Sequence, residues 1–186
     1  MASGDFFKIV LTGKQTHGAA PWGGVDPIVL GSQIVMALQT IVSRTVNITE
    51  APAVVTVGRF SGGVRSNIIP EKVELEGTVR AFDESVRQDI HRRLRDISTK
   101  YAEAAGASAT VEFGLGYPVT KNDPALTERM LPVLKRVAGA DGVKVRNAKG
   151  EEGFVPADTV IQADGVAPAH SLFHEFEWMV DELHGV

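Results

Sequence analysis

The strongest constraint on the fold is the order of strand-like and helix-like patterns over residues 5–117. Four segments show β-branched runs or alternating apolar and polar residues, and two longer segments repeat apolar residues every three or four positions. The strand-like segments are residues 6–12, 54–60, 73–81 and 109–115, and the helix-like segments are residues 30–41 and 86–101. This β-α-β-β-α-β order predicts an α+β, ferredoxin-like sandwich with two helices on one face of an antiparallel sheet.

Both predicted helices carry a start signal. Asp26 precedes Pro27, and Asp83 precedes the second helical pattern, so each aspartate is expected to cap a helix N-terminus. The charged residues and the histidine of the second helix are expected to face water, while Tyr101 belongs to the apolar face. These polar positions are Arg87, Asp89, His91, Arg92, Arg93 and Arg95. A short extended piece is expected at residues 64–69.

The chain changes character near residue 118, and residues 118–186 are expected to form a separate segment of helical and irregular structure. Asp123 and Pro124 predict the start of a third helix. The apolar positions that share one face of that helix are Leu126, Met130, Leu134 and Val137. Residues 143–145 and 159–161 predict two weak strands.

Composition excludes several classes of function. A net charge of −4 and a pI near 5.7 leave no basic surface for phosphates, so no nucleic-acid partner is expected. The absence of cysteine excludes disulfides and thiolate metal ligands. Polar residues interrupt the longest apolar run, residues 28–42, so no membrane span is expected. The N-terminal residues lack the features of a secretion signal, and a cytoplasmic protein is expected.

The candidate functional residues lie in two glycine-rich loops. His17 lies in a turn between the first strand and the first helix, where the backbone holds the ring toward solvent or a partner. Asn67 lies after Gly62 and Gly63 in a second loop, and its amide can donate and accept hydrogen bonds. A buried or purely structural histidine is the alternative for His17, and turn chemistry alone is the alternative for the Asn67 loop.

Other catalytic patterns in the sequence are incomplete. His170 and His174 are four residues apart and share a face if that segment is helical. Two imidazoles alone bind a metal weakly, so a structural role is the alternative for this pair. The sequence has no nucleophile elbow, P-loop or dinucleotide-binding fingerprint.

Six segments together carry a family resemblance. They are residues 13–21, 24–28, 37–44, 62–63, 67–70 and 76–82. In order and without large gaps over residues 5–122, they closely resemble the lid, or peptidase dimerisation, domain of the zinc-dependent aminoacylase and carboxypeptidase family. The amidohydrolase branch, which includes hippurate hydrolases, is the nearest.

The resemblance implies a role for each loop. In this family the lid forms a dimer, and its histidine reaches the two-metal site of the partner subunit to stabilise the oxyanion of the tetrahedral intermediate. His17 matches that histidine. Asn67 matches a substrate-contacting asparagine, and Arg80 is expected as a second substrate-binding residue close to the same surface. His170 matches the last metal ligand of the family.

The resemblance also divides the chain into a lid domain, residues 5–117, and a remnant of the C-terminal part of the catalytic domain, residues 118–186. The other metal ligands of the family have no counterpart here, and Gly153 replaces an aspartate of the family pattern. No cofactor is therefore expected for this chain alone, although the parent family uses a divalent metal such as Zn, Mn or Co. The implied protein is a homodimeric piece of a metal-dependent amidohydrolase for N-acyl amino acids or peptide amide bonds, inactive alone.

Two further hypotheses remain open. One is a stand-alone ferredoxin-like module that binds a small molecule or a partner protein, which predicts saturable ligand binding rather than self-association. The other is a complete hydrolase with an unfamiliar site built from His17, His170 and His174, which predicts loss of activity when His170 and His174 are replaced.

Overall fold

A computed structural model describes residues 2–139, 143–146 and 160–163. Within them the strands are β1 (Gly4–Thr12), β2 (Thr16–His17), β3 (Ala53–Gly62), β4 (Ile68–Ile69), β5 (Lys72–Ala81), β6 (Ser108–Tyr117), β7 (Val143–Arg146) and β8 (Val160–Ala163). The α-helices in this part of the chain are α1 (Pro27–Thr40), α2 (Glu84–Ala104) and α3 (Pro124–Ala138). The chain divides between Thr120 and Lys121 into two units.

A four-stranded antiparallel sheet in the order β3-β5-β1-β6 forms the centre of the first unit. In the β1–β5 ladder Thr12 lies opposite Lys72 and Asp5 lies opposite Val79. Strand β1 also pairs with β6, so two β-α-β units interlock and each central strand has antiparallel neighbours. This arrangement confirms the predicted α+β class and the ferredoxin-like strand order.

One face of the sheet is buried under α1 and α2. Alternate residues of β1 and β5 point to this face, and the helical repeats of α1 and α2 meet them. The fully buried large side chains include Ile9, Leu11, Ile34, Leu38, Leu75, Ile90 and Leu94. Each such side chain contributes about 1.5–3 kcal/mol by leaving water. The expectation for Tyr101 is wrong, because this side chain is 43% exposed.

Both predicted helix caps are present, and Asp123 caps the third helix, whose start was predicted at this position. The Asp26 carboxylate accepts hydrogen bonds from the backbone N–H groups of Ile28 and Val29, at 2.8 and 3.2 Å. Asp83 caps α2 in the same way, and Asp123 accepts from the N–H of Leu126 at 2.7 Å. These bonds satisfy donors that the first helical turn leaves without partners.

Residues 64–69 are not one extended piece. Only Ile68–Ile69 form a strand, and the preceding residues form a turn in which the N–H of Ile68 donates to the carbonyl of Arg65 at 3.3 Å. The turn reverses the chain before β5. In the second unit, β7 and β8 form an antiparallel pair at the two positions predicted to be weak strands.

The segment Pro27–Thr45 is long and apolar enough, with a mean hydropathy of 1.2, to pass a composition test for a membrane span. The core helix of a globular domain passes the same test. Here Leu30, Ile34 and Leu38 of this segment pack in the core against the sheet. The length and composition of this segment are therefore only weak evidence for a membrane span.

Candidate functional site

The turn that carries His17 is closed by backbone hydrogen bonds. Lys14 and Val25 exchange two N–H to carbonyl bonds of 3.0 Å at its base. Inside the turn, the N–H of Ala20 donates to the carbonyl of His17 at 2.8 Å, and the Thr16 hydroxyl donates to the carbonyl of Ala20 at 3.2 Å. The backbone at His17 is consequently fixed although its side chain is exposed.

The structure brings His17 and Asn67 together. Strands β2 and β4 pair so that His17 lies opposite Ile68, and the N–H of Gly18 donates to the carbonyl of Asn67 at 2.8 Å. A Cβ atom at Gly18 would lie 3.1 Å from that carbonyl oxygen, so glycine permits the close approach of the two turns. We refer to these paired turns as the His17–Asn67 site.

The ring of His17 has a defined donor and acceptor side. Its Nδ1 atom accepts a hydrogen bond from the N–H of Ala19 at 3.1 Å. A neutral imidazole that accepts at Nδ1 carries its proton on Nε2. The exposed ring therefore offers an Nε2–H donor beyond the turn, which is the kind of group that can stabilise a developing negative charge.

Arg80 does not join this site. It lies near the end of β5, eight residues beyond Lys72, which corresponds to about 26 Å along a strand. The expectation that Arg80 lies close to the same surface is therefore wrong, because one full strand separates it from the turn of Asn67. Its Nη1 atom donates to the carbonyl of Val79 at 3.3 Å and lies against Gly4.

The predicted metal ligand and the C-terminal histidine pair lie outside the described residues. His170, His174 and Gly153 belong to this part of the sequence. Within the residues that the structure describes, no three histidine, aspartate or glutamate side chains are grouped closely enough to hold a metal ion. The described donor set does not fit a two-metal centre.

A buried charged cluster lies apart from the predicted sites, and we call it the Asp5 cluster. The Arg87 guanidinium donates through Nε and Nη2 to both carboxylate oxygens of the fully buried Asp5, at 2.6 Å each. The N–H of Gly116 also donates to Asp5, at 3.1 Å. His91 Nε2 lies 3.0 Å from the carboxylate without hydrogen-bond geometry, and its ring stacks on Phe113.

Burial and pairing set the ionisation of this cluster. Burial alone raises the pKa of Asp5, but the hydrogen bonds from Arg87 and Gly116 outweigh it and leave the pKa below its ordinary value. Burial lowers the pKa of His91, and the nearby Asp5 carboxylate only partly compensates. The hydrogen bond to Asp5 raises the pKa of Arg87. At neutral pH the cluster therefore holds an Asp–Arg ion pair beside a neutral imidazole.

The expectation that Arg87 and His91 face water is wrong. Both side chains are more than nine-tenths buried. A signal for this was present in the sequence, because residues 87, 91, 94 and 98 recur at helical spacing and Leu94 is a core residue. Because arginine and histidine are polar, we assigned these two positions to the exposed face of the helix.

Exposed apolar side chains gather on the side of the first unit formed by α1 and β3, which we call the α1/β3 face. They are Ile28, Val29 and Met36 of α1 and Phe60 of β3, with Trp22 and Val64 in the adjoining loops. Within the described residues β3 pairs only with β5, so this face also includes a sheet edge. The opposite side carries the exposed ion pairs of Asp89 with Arg92 and Arg93.

Comparisons with known proteins agree with this architecture. Residues 5–105 match a protein family described as the peptidase dimerisation domain. The chain is 43% identical over 127 residues to an N-acetyl-L-cysteine deacetylase of Bacillus subtilis, covering 68% of this chain and 30% of the relative. It is 34% identical over 155 residues to thermostable carboxypeptidase 2 of Saccharolobus solfataricus, covering 83% of this chain and 39% of that protein.

Solved structures show the same relationship. A crystal structure described as an aminohydrolase of methicillin-resistant Staphylococcus aureus superposes with a TM-score of 0.68 at 36% identity, covering 72% of this chain and 34% of that one. The YXEP protein of Bacillus subtilis, described as a dinuclear metal binding peptidase, gives a TM-score of 0.54 at 30% identity and covers 76% and 32%. The chain thus spans between 30% and 39% of the length of these four proteins.

Proposed function

This chain belongs to the peptidase dimerisation domain family, and on that premise we propose that residues 5–117 form a lid that dimerises and presents His17 to the active site of the partner subunit. Residues 118–186 are then the C-terminal part of a catalytic domain. The observation that carries the proposal is the fixed, exposed His17, whose Nδ1 accepts from Ala19 and whose Nε2–H is left as a donor.

The α1/β3 face is the proposed dimer surface. Val29 and Met36 of α1 are 55% and 71% exposed, and β3 supplies an edge whose backbone groups can pair with the same strand of a second copy. Burial of apolar area drives association, whereas the ion pairs on α2 favour contact with water. The same face adjoins the His17–Asn67 site, since Ile28 of α1 lies against Gly63 in the turn that leads to Asn67.

In this proposal His17 and Asn67 act on the substrate of the partner subunit. The Nε2–H of His17 donates to the oxygen on which negative charge develops during amide hydrolysis, a contribution of about 3 kcal/mol for one well-placed donor. The Asn67 amide orients the substrate by donating and accepting hydrogen bonds. The two side chains work as a unit because the bond between Gly18 and Asn67 joins their turns.

Arg80 has a different assignment. It lies at the end of the sheet where the lid begins and ends, beside Gly4 and Tyr117. About 26 Å of strand separates Arg80 from Lys72, at the end of β5 that adjoins the turn of Asn67, so Arg80 does not act together with His17 of the same lid. We therefore keep Arg80 as a proposed substrate-binding residue that is separate from the His17–Asn67 site.

The substrate class and metal of the whole enzyme follow from its relatives as proposals. Deacetylase and carboxypeptidase relatives support an N-acyl amino acid or peptide amide substrate, and a dinuclear metal-binding relative supports a divalent metal such as Zn, Mn or Co. The described donor set does not fit that metal centre, so we assign no step to a metal here. We also propose a cytoplasmic location; the packing of Leu30, Ile34 and Leu38 into the lid core argues only that Pro27–Thr45 is not a membrane span.

Sedimentation equilibrium tests the dimer. We expect the 19.9-kDa chain to sediment as a dimer and Val29→Glu to weaken association by at least about tenfold, because a buried unpaired carboxylate opposes the contact. Tyr101→Glu is the matched control, since Tyr101 is an exposed apolar residue on α2 and should leave the dimer unchanged. A monomeric chain, or an equal effect of both substitutions, would contradict the proposal.

A hydrolysis assay tests whether the chain is active alone. We expect no turnover of N-acetyl amino acids in the presence of Zn²⁺, Mn²⁺ or Co²⁺ beyond that of the His17→Ala chain. The reason is that His17 acts on a reaction centre that this chain does not build from its described residues. Metal-dependent turnover well above the His17→Ala control would show that the chain holds a complete site.

A further inference from the structure

The Asp5 cluster lies where the lid begins and ends. Asp5 is the second residue of β1, and Gly116 is the second-last residue of β6. Arg87 and His91 come from the first two turns of α2 and reach the same carboxylate. The buried Asp5 carboxylate therefore connects β1, β6 and α2.

A bulge in β6 allows the contact between this strand and Asp5. Gly4 lies opposite Tyr117 and Asp5 lies opposite Leu115, so Gly116 is an extra residue in the β6 ladder. Its N–H donates to the Asp5 side chain. A Cβ atom at Gly116 would lie 2.0 Å from the carbonyl oxygen of Gly4, so only glycine fits at this bulge.

A second set of bonds fastens the start of β1. Ser3 is fully buried, and both its N–H and its hydroxyl donate to the carbonyl of Ala81, at 2.8 and 3.2 Å. Ala81 is the last residue of β5, which is the neighbour of β1 in the sheet. The segment that enters the lid is thus bonded to β5 on one side and to β6 and α2 on the other.

A buried ion pair adds little net stability, because the loss of hydration offsets most of the attraction between the charges. Such pairs are better at selecting one arrangement over others. Here the arrangement is the side-by-side position of the two chain segments that enter and leave the lid.

We propose that Asp5, Arg87 and His91 form a clamp that holds the beginning and the end of the lid together. This inference rests on the proposed function only where it calls residues 5–117 a lid. The clamp itself makes a local prediction: removing it loosens Ser3 and Gly116 and leaves the rest of the sheet closed.

Amide hydrogen exchange of the full chain, resolved by residue, tests the clamp. The variant is the double substitution Asp5→Leu with Arg87→Met, which replaces both charges by apolar groups and so leaves no unpaired buried charge. We expect exchange at Ser3 and Gly116 to accelerate at least about tenfold, with Gly18 unchanged. The matched control is Asp89→Leu with Arg93→Met, a half-buried ion pair on the same helix that does not contact Asp5 and should change neither amide.

Two outcomes would overturn the clamp. One is unchanged exchange at Ser3 and Gly116, and the other is equal acceleration throughout the sheet, which indicates a general contribution to stability. If the double variant does not fold, Arg87→Lys gives the decisive measurement, because lysine cannot make the paired bonds to both Asp5 oxygens. Sedimentation of the same samples distinguishes the two proposals. If the double variant is a dimer and exchange at Ser3 and Gly116 is unchanged, the clamp is contradicted and the dimer is not. If the wild-type chain is a monomer, the dimer is contradicted and the clamp is not.

Discussion

The two histidines in the described part of the chain show how environment decides what one residue type can do. His17 is exposed and held by an N–H bond to Nδ1, so its Nε2–H is available to another molecule. His91 is buried between Asp5 and Phe113, where its charged form loses hydration. The first has the exposed donor that the proposed role at a partner's site requires, and the second belongs to the proposed clamp.

The burial of His91 predicts a pH dependence of stability. Burial lowers the pKa of His91 below its ordinary 6.5, so the unfolded chain binds this proton more tightly than the folded chain. Stability is therefore expected to fall as pH drops from 6.5 toward the lower pKa of the folded state. The lowered pKa of Asp5 has the same sign but acts only below its ordinary 3.8.

Urea unfolding at several pH values between 7.5 and about 5 measures this effect. The His91→Phe chain keeps the stacking on Phe113 and should show a weaker loss of stability on acidification than the wild type. Met36→Phe is the control, since it introduces the same ring at an exposed position and removes no ionisable group. A wild-type profile that is flat over this range, or equally steep in His91→Phe, would show that His91 is not a buried neutral imidazole.

At the scale of elements, the helix caps are the features that local sequence determines most completely. The Asp26 side chain bonds two backbone N–H groups in the first turn of α1, and Pro27 presets the backbone angle at the first helical position. Both effects need only neighbouring residues. Helix α1 also carries Val29 and Met36 of the α1/β3 face. The cap at its N-terminus therefore also helps to form the proposed dimer surface.

We expect Asp26→Ala to lower the free energy of unfolding by about 1 kcal/mol, because two N–H donors lose their acceptor. Asp26→Asn should retain most of the stability, since its amide oxygen can accept the same bonds. Urea unfolding of the three chains measures the difference. Equal stability of Asp26→Ala and the wild type would mean that the cap does not hold the start of α1.

The order of strands and helices along the chain, the apolar face of α1 and the caps were predictable because each follows from residues close together in the sequence. Helical spacing with Leu94 indicated that Arg87 and His91 share the buried face, but their buried partner was not predictable, because Asp5 lies more than 80 residues away in the sequence. The position of Arg80 was also missed. Residues close in sequence to Asn67 lie far from it once β5 is extended, and only the ladder with β1 fixes that separation.

At the scale of the whole molecule, the first unit has two ends and two sides that differ in their residues. The His17–Asn67 site lies at one end of the sheet, and the Asp5 cluster with Arg80 lies at the other. The α1/β3 face is apolar, and the α2 side carries ion pairs. Pairing through the α1/β3 face would place the exposed His17 of each lid beside the boundary with its partner.

Pulsed electron resonance between spin labels tests this arrangement most directly. The chain has no cysteine, so one introduced cysteine labels each protomer at a single position. Met36→Cys on the α1/β3 face is expected to give a shorter distance between protomers than Tyr101→Cys on α2. A longer distance for Met36→Cys than for Tyr101→Cys, or no interaction between labels at either position, would contradict dimerisation through this face.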